Sequence, residues 1–510
     1  MKHYDLIVIG GGPAGEKAAV KAGFHGKKVA LVERYSEPGG STVHNGTLPS
    51  KALKETALFL SGKAERGVYG VDRKLSKSFT VDDFFFRKNQ VTESEVATIN
   101  QNLEAHLIDI YHGKGGFEDA HTIRVLGDPD QLISADFILI ATGSYPFHPP
   151  YLHFDKKRVH DSNTILQLAR FPMNLVVIGA GVIGCEYSTI FSTIGAKVTL
   201  IEGKDAILPF LDKEVTNELV RQIRAGGVEV MFNTAVEKVD DPKDESLPLL
   251  VHLKGGRVLE ADMVLFAAGR AGRVDALNLE KVGLEKNSRG LVEVNERYQT
   301  KVPHIYAAGD VIGFPSLAST SMDQGRVAVT QMFELEGYER LAHVFPYGIY
   351  TVPEVSMVGM TEEEAQKKGL PYGVGRAHHS DMPRGKILGA KDGFLKLVYE
   401  KGSHRVLGVH VIGHLASELI HYGVTVVESN KTLEDVSSGV FNCPSLHELY
   451  KYAAYDGLAE ERGKKIRTTR PISCIWRRLR VASVLTYNST LRASARLRLG
   501  QKQDLGQVYL

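Results

Sequence analysis

Cysteine is nearly absent from this chain of 510 residues: Cys185, Cys443 and Cys474 are the only three. Thiols so far apart build neither a disulfide framework nor a paired CxxC zinc site, and they suit a reducing, cytoplasmic compartment. Tryptophan occurs once, and no stretch approaches the ~18 consecutive apolar residues of a membrane-spanning helix. The apolar run 6–9 leads straight into glycines, so no signal peptide is expected either. An excess of one charge is missing too, since 62 basic residues face 60 acidic ones. That near-balance hides two regions. Residues 462–510 hold 12 Lys and Arg against Asp504 alone, or +11, which leaves −9 on the 461 residues before them. No nucleic-acid or membrane partner is expected of such a body. The basic extension 463–510 has no sustained helical period and no nucleic-acid motif, so it reads as disordered. An amphipathic segment at 472–485 touching membrane or RNA is the alternative.

Glycine, by contrast, is plentiful, at 51 residues, and its placement is informative. Residues 4–9 form a β-branched apolar run that ends in Gly10-Gly11-Gly12-Pro13-Ala14-Gly15, a helix pattern follows to about residue 23, and a second strand at 28–32 ends in Glu33. The glycines let a backbone approach a diphosphate, the helix N-terminus favours its charge, and the terminal acid accepts hydrogen bonds from a ribose. The pattern recurs in Gly179-Ala180-Gly181-Val182-Ile183-Gly184, between the strand 175–178 and the strand 198–201, which leads to Glu202. In both units the acid lies 23 residues after the first glycine. Two such fingerprints predict two dinucleotide sites. Weaker signals share their order: Ala141-Thr142-Gly143 closes a strand at 136–140, Ala268-Gly269-Arg270 closes another at 263–267, and Gly309-Asp310 precedes a helix predicted near residue 317. A carboxylate such as Asp310 at a strand end beside a helix N-terminus is placed to bind a ribityl hydroxyl.

From residue 4 to about 460 the chain resembles the flavoprotein family of dihydrolipoamide dehydrogenase, glutathione reductase and mercuric reductase, also called the pyridine nucleotide-disulfide oxidoreductases. Within that family it is most similar to the soluble pyridine nucleotide transhydrogenases, notably in the stretches 309–319 and 347–354. The resemblance implies an α/β fold with two Rossmann-like dinucleotide-binding domains plus a C-terminal α+β dimerisation domain. FAD is expected on residues 1–150 and 272–345, NAD(H) and NADP(H) on 151–271, and a homodimer or larger homo-oligomer through 346–462. It extends the expected cofactor contacts to Arg34, Gly40, Ser41, Thr42, Gly116 and Ala318.

The scarcity of cysteine now has a sharper meaning. The disulfide reductases of this family carry a CxxxxC pair after the FAD loop, ending in Pro-Ser-Lys. Here Thr42 and Thr47 stand in those places before Pro49-Ser50-Lys51, and no cysteine precedes residue 185. A hydroxyl forms no disulfide and holds no thiolate, so disulfide and mercury reduction by that route are excluded. Cys443 replaces the family's C-terminal histidine, while Glu448 remains five residues on. The transhydrogenases keep one cysteine at the position of Thr42, and this chain departs from them there. Cys443 and His447, at i and i+4, share a helix face but have no further ligands to complete a metal site, and read as a core thiol and a surface imidazole.

The surviving chemistry is assigned to Lys51 and Glu186. By resemblance the lysine lies near flavin N5 and pairs with the glutamate, stabilising negative charge on reduced flavin. The implied reaction is ping-pong hydride transfer between pyridine nucleotides through FAD. Glu202 favours a free 2′-hydroxyl and opposes a 2′-phosphate, so NAD(H) is the expected ligand of the second fold; Lys204 reads as a solvated surface lysine, with contact to the phosphate of NADP(H) as the alternative. Two alternatives stay open: an NADH-dependent flavin reductase with a non-disulfide acceptor, and a non-enzymatic flavoprotein scaffold.

Overall fold

Continuous β-branched runs bury strands on both faces, which is the signature of parallel sheets covered by helices. In the computed structural model, which describes residues 1–463 except 64–66, 71, 73, 77, 128 and 338, the strand Lys2–Ile9 lies between Val29–Glu33 and Gln131–Ile140, parallel to both. Asp109–His112 extends this sheet beyond Val29–Glu33, and Ile305–Ala307 pairs in parallel with Gln131–Ile140. Alternate residues of the first strand serve opposite cores. Leu6 and Val8 pack with Ala18 and Ala22 of the helix Pro13–Phe24, whereas Ile7 and Ile9 pack with Phe117 and Val274 on the other face. Helix Pro13–Phe24 also lies close against helix Ala318–Met332, where a side chain on Gly325 would sit 2.1 Å from Ala14 O.

The second fingerprint builds a second parallel sheet, ordered Val228–Met231, Lys197–Ile201, Asn174–Ile178, Met263–Phe266 and Val159–Asp161. The chain enters and leaves this region through a two-stranded antiparallel pair, Ser144–Pro146 with Arg270–Gly272. That pairing sets Ser144 directly opposite Gly272. A third, antiparallel sheet runs Tyr347–Ile349, Glu354–Gly359, Val406–Gly413, Phe394–Glu400 and Tyr372–His378, with helix Ala416–Glu428 packed on it.

A long helix, Val81–Ala105, is started by a Thr80–Asp83 capping box. Among the described residues no helix is long and apolar enough to cross a membrane. The chain divides into two units, Met1–Leu458 and Ala459–Leu510. Residues 464–510, nearly all of the predicted basic extension, lie outside the described residues.

Candidate active site

The first glycine turn is held open by backbone conformation. Gly10 has φ +108°, and a side chain there would stand 2.4 Å from Ala141 O. Gly15 lies beneath the turn, with its Cβ position 1.9 Å from Gly10 O, so only glycine lets the helix come this close. Gly40, at φ +55°, approaches equally near, since a Cβ on it would meet Gly12 Cα at 2.7 Å. Gly12 caps helix Pro13–Phe24 without a side-chain oxygen, and Leu317 does the same for helix Ala318–Met332. The first N–H groups of both helices are thereby left for an external anion.

These elements open onto one cavity of about 1190 Å³. Of the residues named from the sequence, Gly10, Gly12, Pro13, Ala14, Glu33 and Arg34 line it, as do Gly40, Ser41, Thr42 and Lys51. Ala141, Thr142, Gly143, Val182, Ile183, Glu186, Asp310 and Ala318 complete the set. Six others do not line it. Gly15 supports the turn from below. Gly116 turns its α-carbon toward Ala276 O, 2.5 Å from its Cβ position, and Gly113, Lys114 and Gly115 line the wall instead. The expectation for Gly116 is thus corrected, because the Ala276 backbone packs directly against it. Gly179, Gly181, Glu202 and Gly269 belong to the second fold, outside this cavity.

The two strand-end acids share a geometry that spacing alone does not foretell. Glu33 accepts the Gly11 N–H at 2.7 Å and the Tyr35 N–H at 3.0 Å; Glu202 accepts the Ala180 N–H at 2.8 Å and the Lys204 N–H at 3.0 Å. Each carboxylate therefore first ties its own glycine turn to the strand. Its remaining lone pairs can still accept hydrogen bonds from a ligand.

Lys51 and Glu186, expected to pair, do so. Lys51 Nζ lies 2.9 and 2.8 Å from the two oxygens of Glu186, whose side chain is only 4% exposed. The same carboxylate accepts the Ser50 hydroxyl at 3.2 Å and the Tyr350 N–H at 3.0 Å. Tyr350 presents its ring to the lysine, with Nζ 4.9 Å from the centroid. A fixed cation beside the cavity is the result.

No described cysteine lines the cavity. Cys185 is buried, donates to Ala180 O at 3.4 Å, and its thiol pKa is pushed far up by burial. Cys443 is exposed rather than in the core, correcting the sequence expectation; it lies in the irregular segment between helices Leu433–Ser438 and Glu448–Glu461. His447 is half-buried rather than on the surface, its ring 6.4 Å from that of Tyr450, and burial lowers its pKa. No group of three or more metal-ligating side chains forms among the described residues.

Three features fit the cavity to FAD. Its glycine walls leave the backbone bare, and its uncapped helix ends favour a diphosphate. Thr142 Oγ1, Asn45 Oδ1 and the Tyr187 hydroxyl are buried without a hydrogen-bond partner, and all three residues line it. Sequence reasoning missed Ser144, Arg270 and Arg273. Ser144 donates to Asp310 Oδ2 at 2.7 Å and accepts from Arg270 Nε at 2.8 Å. The Gly143 and Gly269 turns signalled the chain crossings, but no spacing rule marks the side chains that follow them.

Residues 4–325 match the family described as pyridine nucleotide-disulphide oxidoreductase, and residues 345–454 match its dimerisation domain. The soluble pyridine nucleotide transhydrogenase of Mycobacterium tuberculosis (strain ATCC 25177 / H37Ra) is 42% identical over 459 residues, 89% of this chain and 97% of that protein. The protein of the same name from Marinomonas sp. (strain MWYL1) is 42% identical over 465 residues, 89% of this chain and 98% of that protein. Among solved structures, the Cu(II) complex of the HOCl-induced flavoprotein disulfide reductase RclA from Escherichia coli superposes with a TM-score of 0.81. It is 27% identical over 89% of this chain and 100% of that one.

Proposed function

The chain belongs to the pyridine nucleotide-disulphide oxidoreductase family, and on that basis we propose that it is an FAD-dependent transhydrogenase exchanging hydride between NADP(H) and NAD(H). The observation that carries this reading is a dinucleotide cavity walled by Lys51, Glu186, Thr42 and Thr47, with no thiol among the described residues that line it to pass electrons onward. Bound there, FAD supplies the two-electron centre that takes hydride from one pyridine nucleotide and returns it to another.

The protein's own contribution is position and charge. Gly10, Gly12, Gly40 and the ends of helices Pro13–Phe24 and Ala318–Met332 hold the FAD diphosphate, and Glu33 and Asp310 its hydroxyls. Lys51, fixed by Glu186, offsets the negative charge that hydride gain brings to the site. Val182 and Ile183 open helix Val182–Thr193 at the cavity wall, where the nicotinamide end of the second nucleotide enters. Gly179 and Gly181 leave room for its diphosphate, and Glu202 takes its ribose.

The charge of Glu202 disfavours the 2′-phosphate, so NADP(H) is the weaker of the two substrates. The same observation supports a second reading, an NADH-linked flavin reductase. Self-association through 345–454 is part of the proposal. Val440 at 96% exposure, with Tyr452 and Tyr455 also exposed, leaves apolar surface there for a second copy. A cytoplasmic, reduced compartment completes it, in keeping with the unpaired Cys185 and Cys443.

The test is anaerobic mixing of the purified protein with NADPH and thio-NAD⁺. Catalytic formation of thio-NADH is expected. Flavin bleaching by NADH without nucleotide exchange would establish the second reading instead.

A further inference from the structure

Arg34, Arg270 and Arg273 all line the dinucleotide cavity, and none makes an ion pair with a carboxylate among the described residues. Their neighbours explain why two of them are tolerated. Arg270 donates to the Ser144 hydroxyl at 2.8 Å, which in turn donates to Asp310 at 2.7 Å, so an acid balances Arg270 through one hydroxyl. Arg34 is exposed and lies over the Tyr35 ring, 4.3 Å from its centroid. Arg273 is neither exposed nor balanced by an acid through a hydroxyl. It is half-buried, and its guanidinium reaches Ser144 O at 3.3 Å, the carbonyl that Arg270 already occupies at 3.1 Å. The face of Tyr145 lies 5.3 Å from the Arg273 guanidinium. Burial, with Arg34 and Arg270 alongside, lowers its pKa from the ordinary arginine value. Two cations sharing one neutral acceptor form an arrangement that an anion completes.

The backbone fixes this arrangement. The Arg273 N–H donates to Gly143 O at 2.9 Å, and Gly272 packs so closely that a side chain there would stand 2.2 Å from Gly290 O. Arg273 is thus tied to the turn that closes the first fold's central strand. Arg34 directly follows Glu33 of the same fold, whereas the second glycine turn and Glu202 lie outside the cavity.

We infer that Arg273, sharing Ser144 O with Arg270 and seated on Tyr145, is a direct ligand of the diphosphate of FAD, with Arg34 as the second cation of that site. This rests on the reading of the cavity as the FAD site. A planar guanidinium suits two phosphate oxygens at once and brings a full positive charge, which the helix N-termini do not.

The test compares holoenzyme of the unaltered chain with Arg273→Met and Arg273→Lys. Flavin released on ultrafiltration at rising KBr is read by fluorescence, and KM for NADH and NADPH is measured on the same preparations. Arg273→Met is expected to weaken FAD retention roughly tenfold or more, with Arg273→Lys between the two. KM for both nucleotides is expected to stay within about twofold. The salt dependence of flavin release should be shallower in Arg273→Met, because one fewer charge is screened. Equal FAD retention in all three overturns the inference. So does a raised KM with flavin retention intact, which would assign the anion to a pyridine nucleotide. Should Arg273→Met fail to fold, flavin release from the unaltered protein that is independent of salt overturns it as well. Unaltered protein that holds FAD in this salt-dependent way but exchanges no hydride would refute transhydrogenation while leaving this inference standing; protein that takes up no FAD refutes both.

Discussion

Lys51 Nζ bridges both carboxylate oxygens of Glu186 at 2.9 and 2.8 Å, joining helix Thr47–Ser61 to helix Val182–Thr193 through residues 135 positions apart. Lys51→Met removes the cation and leaves a buried carboxylate with only Ser50 and the Tyr350 N–H to donate to it. The expected loss is about 3 kcal/mol of stability, at the low end for a buried pair because those two donors remain. Hydride transfer is expected to slow roughly 10²-fold. Stopped-flow flavin reduction by NADH measures the rate and urea unfolding the stability. A Lys51→Met variant reducing its flavin at full speed would sink the role assigned here.

Glycines at different positions of the fingerprints should respond differently to alanine, since Gly184 is as tightly packed on Gly179 O, at 1.8 Å, as Gly15 is on Gly10 O. Gly15→Ala places a methyl 1.9 Å from Gly10 O, so the turn must break and FAD retention should be lost. Gly181 has nothing within 4 Å of its Cβ position. Gly181→Ala should therefore keep its melting temperature and its flavin, yet raise KM for the pyridine nucleotides by filling space their diphosphate needs. Thermal melts, flavin content and steady-state kinetics separate the two outcomes.

Alkylation of the described cysteines should leave turnover untouched. Cys185 is buried and its thiolate is disfavoured, while Cys443 is exposed and reachable but lines no part of the cavity. Iodoacetamide is expected to label Cys443, by mass spectrometry, with activity retained. Inactivation that Cys443→Ser abolishes would place that thiol in the chemistry.

Stability should fall on mild acidification. His379 is fully buried between Gly393 and Gly413, and burial lowers its pKa to about 4. The unfolded chain titrates this group near pH ~6.5, so between there and about 4 the unfolded state binds the extra proton and stability declines with falling pH. The full loss amounts to about 3 kcal/mol. Urea midpoints from pH 7.5 to 4.5 should show most of that loss in the unaltered protein and a shallower one in His379→Leu. Parallel profiles would disprove the assignment.

Local pattern alone carried a large part of the fold. Six contiguous residues, Gly10 to Gly15, announced strand, turn and helix because each rule involved acts within one turn of backbone. Glu33 and Glu202 were found by the same spacing. What they touch was not, since the choice between ribose and the turn's own N–H depends on where the strand end comes to rest.

The sequence by itself determined two dinucleotide folds and, through Thr42 and Thr47, the loss of disulfide chemistry, because hydroxyl and thiol differ in kind wherever they are placed. Only the tertiary structure decided which charges meet. Fully buried Lys396 finds Asp212 at 2.9 Å and Glu362 at 2.6 Å, and Ser144 gathers Arg270, Arg273 and Asp310 around one residue. Such contacts join elements more than a hundred residues apart in most cases. They are set by how sheets cross and pack, a property no window of sequence contains.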